Sequence, residues 1–194
     1  MRIAISGTHF IGKSTFIDDF LKIHPDYIHE IEPYYQLQEE QNIEFSEDPT
    51  LEFLLEQLDY SITRLNDFSN QPNVIFDRCP IDFVAYSMYI MKQMGVDLND
   101  SVVSERFPDI KEALENLDLI VFFPIIQEHE VDYIAQEDRA YRKAIDKYFK
   151  KIYRDEIYDL FPSYDHPKII EIGGNRKARI EKLETYLQNS LNTF

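Results

Sequence analysis

Near the amino terminus stands Arg2-Ile3-Ala4-Ile5-Ser6-Gly7-Thr8-His9-Phe10-Ile11-Gly12-Lys13-Ser14-Thr15, and its reading decides the fold. Arg2 to Ser6 is a short branched run of the kind that forms a buried strand. The next nine residues have the spacing glycine, four residues, glycine, lysine, Ser/Thr. Gly7 and Gly12 let the backbone turn so that successive N–H groups point at phosphate oxygens, and a helix beginning near Lys13 adds the positive end of its dipole there. In such a loop Lys13 reaches the β and γ phosphates, Ser14 gives its hydroxyl to Mg²⁺ and Thr15 bonds an inner phosphate oxygen. Residues Gly7, Thr8, His9, Phe10, Ile11, Gly12, Lys13, Ser14 and Thr15 are therefore the expected nucleotide-binding loop.

Working outward, four more apolar runs follow at Tyr27 to Ile31, Val74 to Asp77, Leu119 to Phe123 and Lys168 to Ile172, separated by stretches with helical spacing. Strands alternating with helices predict a layered α/β domain whose parallel sheet is covered on both faces. Asp48 with Pro49 opens a predicted helix along which Leu51, Leu54, Leu55, Leu58, Ile62 and Leu65 recur at helical spacing. Pro80 opens another, through about Met94 and ending near Gly95. Glu137 to Tyr158 reads as a charged helix, and the last helix runs from about Arg176 to Leu191. No repeat or linker divides the 194 residues, so one domain over 1–194 is expected, large enough at 44% hydrophobic content to bury a core.

Charge narrows the function. With 36 acidic against 20 basic residues the formal charge is −16, a field that repels DNA and RNA. No run approaches the roughly 20 apolar residues that span a bilayer, and the first residues run into the loop rather than a signal peptide, so a cytoplasmic protein is expected. The lone Cys79 reads as a packed small side chain. A guanine-reading Asn-Lys-x-Asp string is absent, and the length argues against motor ATPases. That leaves a small phosphotransferase or a nucleotide-binding regulatory module.

In a parallel α/β sheet the strands' carboxyl ends face the ligand crevice. Glu32, just after the second strand, is the candidate general base for a substrate hydroxyl, with Glu30 its rival on the same strand face. Asp77 ends the third strand where a carboxylate would hold Mg²⁺ or its water shell, and Arg78 beside it neutralises phosphate charge or forms a structural bridge. Arg139 and Arg142 lie three apart on one face of the charged helix. There a mobile lid, over about 127–160, would bring them onto the transferring phosphate.

These features together resemble the P-loop nucleoside and nucleotide kinases, and within them the deoxynucleoside kinase-like group. The match runs in order through the loop, Glu32-Pro33, Asp77-Arg78 and the lid arginines. The resemblance implies a five-stranded parallel sheet in the order 2-3-1-4-5, with helices on both faces and a helical lid. It also implies that Gln57 and Arg64, seven residues apart on one helix, read the acceptor together with Glu32 and Arg78. Where those kinases carry an aromatic five residues after the catalytic glutamate, this chain has Leu37. Its Asp77-Arg78-Cys79 stands for their Glu-Arg-Ser and is closer to thymidylate kinases; the pattern is also similar to small AAA-type ATPase-kinase domains of the nicotinamide riboside kinase type. The implied activity is ATP- and Mg²⁺-dependent phosphoryl transfer to a small nucleoside or nucleotide. The alternatives are an ATP- or GTP-binding regulator and a kinase for a non-nucleoside alcohol. The two apolar helices from Pro49 and Pro80 would allow a homodimer, as in related kinases.

Overall fold

The computed structural model describes residues 1–41, 50–126, 136–162 and 166–191. Five parallel strands, β1 (Arg2–Ser6), β2 (Ile28–Glu30), β3 (Val74–Asp77), β4 (Leu119–Phe122) and β5 (Lys168–Glu171), form one sheet in the order β2-β3-β1-β4-β5. The expected strands are all present, trimmed by a residue or so at their ends. β1 takes the centre because both its edges are paired, with Ile3 opposite Ile75 on one side and Leu119 on the other.

Period-2 alternation sends the strands' side chains into two apolar layers. Ile3, Ile5, Ile75, Leu119 and Val121 pack against α1 (Lys13–Ile23) and α7 (Arg176–Leu191), meeting Phe16, Phe20, Leu183 and Leu187. Ala4, Val74, Phe76, Ile120 and Phe122 face the other layer. It is built by α3 (Leu51–Asp67), α4 (Pro80–Met94), α5 (Phe107–Leu114) and α6 (Gln136–Asp155). Within the chain α4 is buried from Pro80 to Met88 between its neighbours, and α3 buries Phe53, Leu54, Leu58 and Leu65. Among the described residues, no helix is long and apolar enough to cross a membrane.

Helix boundaries follow local chemistry. Thr50, not Asp48, caps α3, its side chain accepting the Phe53 N–H at 3.2 Å; Asp48 and Pro49 lie outside the described residues. α4 matches its predicted span, with Pro80 at its first turn and Gly95 in the left-handed region (φ 71) closing it. α6 stops at Asp155 rather than Tyr158, because Glu156 turns to φ 46. Two helices escape the sequence reading. α2 (Pro33–Gln41) starts on the proline that reads as a turn, and α5 has only eight residues, too few for periodicity to register.

Thr50→Ala should lower the unfolding free energy by about 1 kcal/mol, the usual worth of a helix cap, while Thr50→Ser keeps it. Urea denaturation monitored by circular dichroism measures the difference.

Candidate active site

β1, at the reversal of the strand order, ends in the loop, and the carboxyl ends of β2 and β3 bring their acids beside it. The loop is held by its carbonyls. Arg78 Nη1 donates to Gly7 O at 3.2 Å, Lys13 Nζ to Thr8 O at 3.2 Å, and Arg142 to His9 O and Phe10 O at 3.0 and 3.4 Å. Arg179 Nη1 completes the series at Ile11 O, 2.5 Å away. Because a trans peptide points its N–H opposite its C=O, the N–H groups of Phe10, Ile11 and Gly12 face the other way, as phosphate binding requires. Gly12 opens α1 in the left-handed region (φ 88). Gly7 (φ 143) must lack a side chain, since a Cβ there would stand 2.9 Å from Phe123 O.

The first half of the loop is also anchored through N–H groups, by residues that sequence reading does not single out. Asp82 Oδ1 accepts from Gly7 N at 3.2 Å and from Arg78 Nη1 at 3.2 Å, and the Tyr86 hydroxyl accepts from His9 N at 2.9 Å. Asp82 and Tyr86 stand one turn apart on α4, both buried. Asp82 also closes a capping box with Cys79, a three-residue spacing visible in the sequence. Burial raises the Asp82 carboxyl against the pull of Arg78 and Lys13. Nothing local marks Arg179, which reaches Ile11 from α7 while lying 4.6 Å over the Phe123 ring.

Lys13 is buried, and desolvation together with Arg78 lowers its ammonium, against Asp77, Glu32 and Asp82. Arg78 is held in the left-handed region (φ 83), a strained position for a non-glycine residue. Its side chain pairs with Glu32 and Asp82 and lies 5.3 Å over the Tyr86 ring. Arg78 is thus a structural bridge as well as a site cation. Burial pushes the Glu32 carboxyl up, but Arg78 and Lys13 outweigh it and hold the group below the usual carboxylate range.

Asp77 completes the crevice. Its Oδ2 accepts from Ser14 Oγ at 2.9 Å, whereas Oδ1 is buried with no partner among the described residues. A buried carboxylate oxygen left unpaired beside a hydroxyl is a pair of hard donors that suits Mg²⁺. Among the described residues no group of three or more His, Cys, Asp or Glu could hold an ion by itself.

Other expected site residues are placed differently. Both Glu30 oxygens are taken by Arg64, at 2.6 and 3.1 Å, and Gln36 adds a third contact at 2.9 Å, whereas Glu32 pairs with Arg78 beside the loop. Arg64 further pairs with Asp67 at 3.0 Å and lies over Phe68, so its guanidinium ties α3 to β2. Gln57 is buried, its amide donating to Phe53 O at 3.4 Å. Arg142 docks on the loop backbone; Arg139, one turn earlier on α6, is exposed. The segment 127–135 of the expected lid lies outside the described residues. Cys79 is fully buried, and burial and Asp82 raise its thiol well above the ordinary value, as befits a packing residue. Beside the loop, a cavity of about 400 Å³ is lined by Phe10, Gly12, Thr15, Asn175, Arg176 and Arg179.

Sheet order, loop and acid–arginine pair define the P-loop kinase fold. A family model described as an AAA domain matches residues 2–170, and the chain belongs to that family. Among solved structures it is similar to deoxyadenosine kinase from M. mycoides with products dCMP and a flexible dCDP bound, at TM-score 0.61 and 20% identity, over 97% of this chain and 100% of that one. It is also similar to the NadR protein in complex with NR, at TM-score 0.57 and 14% identity, over 90% of this chain and 44% of that one. Shikimate kinase from Aquifex aeolicus gives TM-score 0.52 and 14% identity over 98% of both chains. No curated protein matches the sequence.

Two outcomes follow. Arg64→Met strands the buried Glu30 carboxylate, and urea titration should show a loss of about 2 kcal/mol, below the cost for a fully buried pair because Arg64 is partly exposed. The Glu32 carboxyl sits lower in the folded chain than in the unfolded one, so its ion pair stabilises fully above the unfolded pKa, about 4.3. That contribution fades as pH falls through the lowered folded value. The gap in unfolding free energy between wild type and Glu32→Gln should therefore be constant above about pH 5 and close in stronger acid.

Proposed function

We propose that this chain is an ATP- and Mg²⁺-dependent kinase transferring the γ-phosphoryl to a hydroxyl or phosphate of a small acceptor of nucleoside or nucleotide type. The observation that carries the reading is the unpaired buried Oδ1 of Asp77, fixed beside Ser14 and Lys13 at the foot of a loop whose N–H groups face the crevice. Bound Mg²⁺, held by Ser14 and Asp77, would draw charge from the phosphate oxygens. Lys13 binds the outer phosphates, whose charge offsets the desolvation of its buried ammonium. Thr15, the 400 Å³ cavity and Arg179 serve the donor nucleotide.

Glu32 takes the acceptor proton as the hydroxyl attacks. It remains ionised at any working pH, and what Arg78 removes from its basicity is returned as fixed geometry. Arg78 and Arg142 stabilise charge on the transferring group, with Arg139 joining when the lid lies over the site. The structural neighbours support this reading: the deoxyadenosine kinase has also been solved with dATP, and NadR with NAD and AMP-PNP. A second reading, a non-nucleoside alcohol as acceptor, is favoured by one observation. Arg64 is bound to Glu30 and Gln57 is buried, so the pair that reads a base in deoxynucleoside kinases is engaged within the fold.

An ADP-release screen of nucleosides, nucleotides and polyols with MgATP tests both. Lys13→Ala should weaken MgATP binding by about a hundredfold with the fold retained, and Glu32→Gln should keep binding while turnover drops about a hundredfold. Wild-type ATP affinity in Lys13→Ala would overturn the kinase reading. If Gln57→Ala leaves acceptor selectivity unaltered, the alcohol replaces the nucleoside.

A further inference from the structure

His9 occupies a variable position of the loop pattern, and its half-buried ring is packed among aromatic side chains of the site. Its ring packs 5.2 Å from Tyr141, 5.3 Å from Phe10 and 6.2 Å from Tyr86 between centroids. Tyr86 holds it twice, accepting the backbone N–H at 2.9 Å and lying 3.1 Å from Nδ1 through the same hydroxyl. A tyrosine hydroxyl has one proton. The Tyr86 hydroxyl at 3.1 Å and the Thr8 hydroxyl at 3.4 Å both face Nδ1, and with a hydroxyl proton given to Nδ1 the imidazole proton lies on Nε2. The Nε2 edge, opposite Tyr86, has no hydrogen-bond partner among the described residues.

The groups within electrostatic reach of the ring are Arg78, Arg142, Lys13 and Glu32, the same four assigned to the transferring phosphoryl and the attacking hydroxyl. Burial first, then Arg78, Arg142 and Lys13, lower the imidazole to about 3, so the ring is a neutral donor throughout the working range.

We propose that His9 Nε2–H donates a hydrogen bond to an oxygen of the phosphoryl group during its transfer, with Tyr86 as the positioning residue that sets the tautomer and the ring. This rests on the kinase reading of the site. A neutral donor suits the place: a fourth cation beside Lys13, Arg78 and Arg142 would be repelled, whereas a fixed dipole adds stabilisation where charge develops without reorganising.

The test compares binding of MgADP alone with MgADP plus aluminium fluoride, which stands for the transferring phosphoryl, by calorimetry on the full chain. Each variant being compared with its own MgADP affinity, His9→Leu should lose at least tenfold of the tightening that aluminium fluoride brings. His9→Gln, whose amide N–H reaches a similar position, should retain most of it. Tyr86→Phe should lose part of the tightening, and nitrogen-15 spectra should show His9 leaving the pure Nε2–H tautomer. Equal tightening in wild type and His9→Leu would overturn the role of His9 alone. So would a matching loss of MgADP affinity in both His9→Leu and His9→Gln, the mark of a merely structural residue. A wild-type chain that binds no MgADP would overturn the reading of the site and this inference with it.

Discussion

Five successive carbonyls, Gly7 to Ile11, each accept from a cationic side chain, and the rest of the site depends on that constraint. A loop of this length has many conformations, and a phosphate-binding one exposes N–H groups that gain nothing until an anion arrives. Lys13, Arg78, Arg142 and Arg179 come from four separate parts of the chain, and their charge-assisted hydrogen bonds fix the peptide planes from outside. Burial first, and then repulsion from Arg78, lower the Lys13 ammonium. Glu32, Asp77 and Asp82 offset that repulsion from the opposite side.

The distribution of charge then gains a meaning that net charge conceals. The chain is strongly acidic at −16, yet three of its arginines and one lysine are buried around a single loop. Low-dielectric surroundings strengthen their field there, while the acidic exterior screens nothing at that depth.

How much of this is legible in the sequence depends on how local the determining physics is. The strands are read correctly because each is buried on both faces and needs only a run of branched residues. The loop is read correctly because glycine conformation, lysine and hydroxyl lie within nine residues. Thr50 is missed as a cap since Asp48-Pro49 carries an equally good signal two residues earlier. Spacing along α3 cannot reveal that Glu30, 34 residues away, pairs with the Arg64 guanidinium. Asp82, Tyr86 and Arg179 act on loop residues 75, 77 and 168 positions distant, a range at which only the assembled sheet reports who meets whom.

The long helix α6 carries further hydrogen bonds beyond Arg142, toward its other end. Asp146 accepts from Ile125 N at 2.8 Å, Lys150 donates to Ile125 O at 2.9 Å, and the Tyr153 hydroxyl donates to Ser6 at 2.7 Å, all toward its carboxyl-terminal half. Arg142 lies 11 residues before Tyr153, about 16 Å along the axis. Taken as a rigid rod pivoting at Tyr153, the helix would carry Arg142 through about 3 Å for a turn of about 10°, well beyond the tolerance of a hydrogen bond. The pivot itself rests on Ser6, the residue before Gly7, so fulcrum and load belong to the same short piece of backbone. A slight tilt of this rod would therefore be felt at the loop as the release or capture of two adjacent peptide groups.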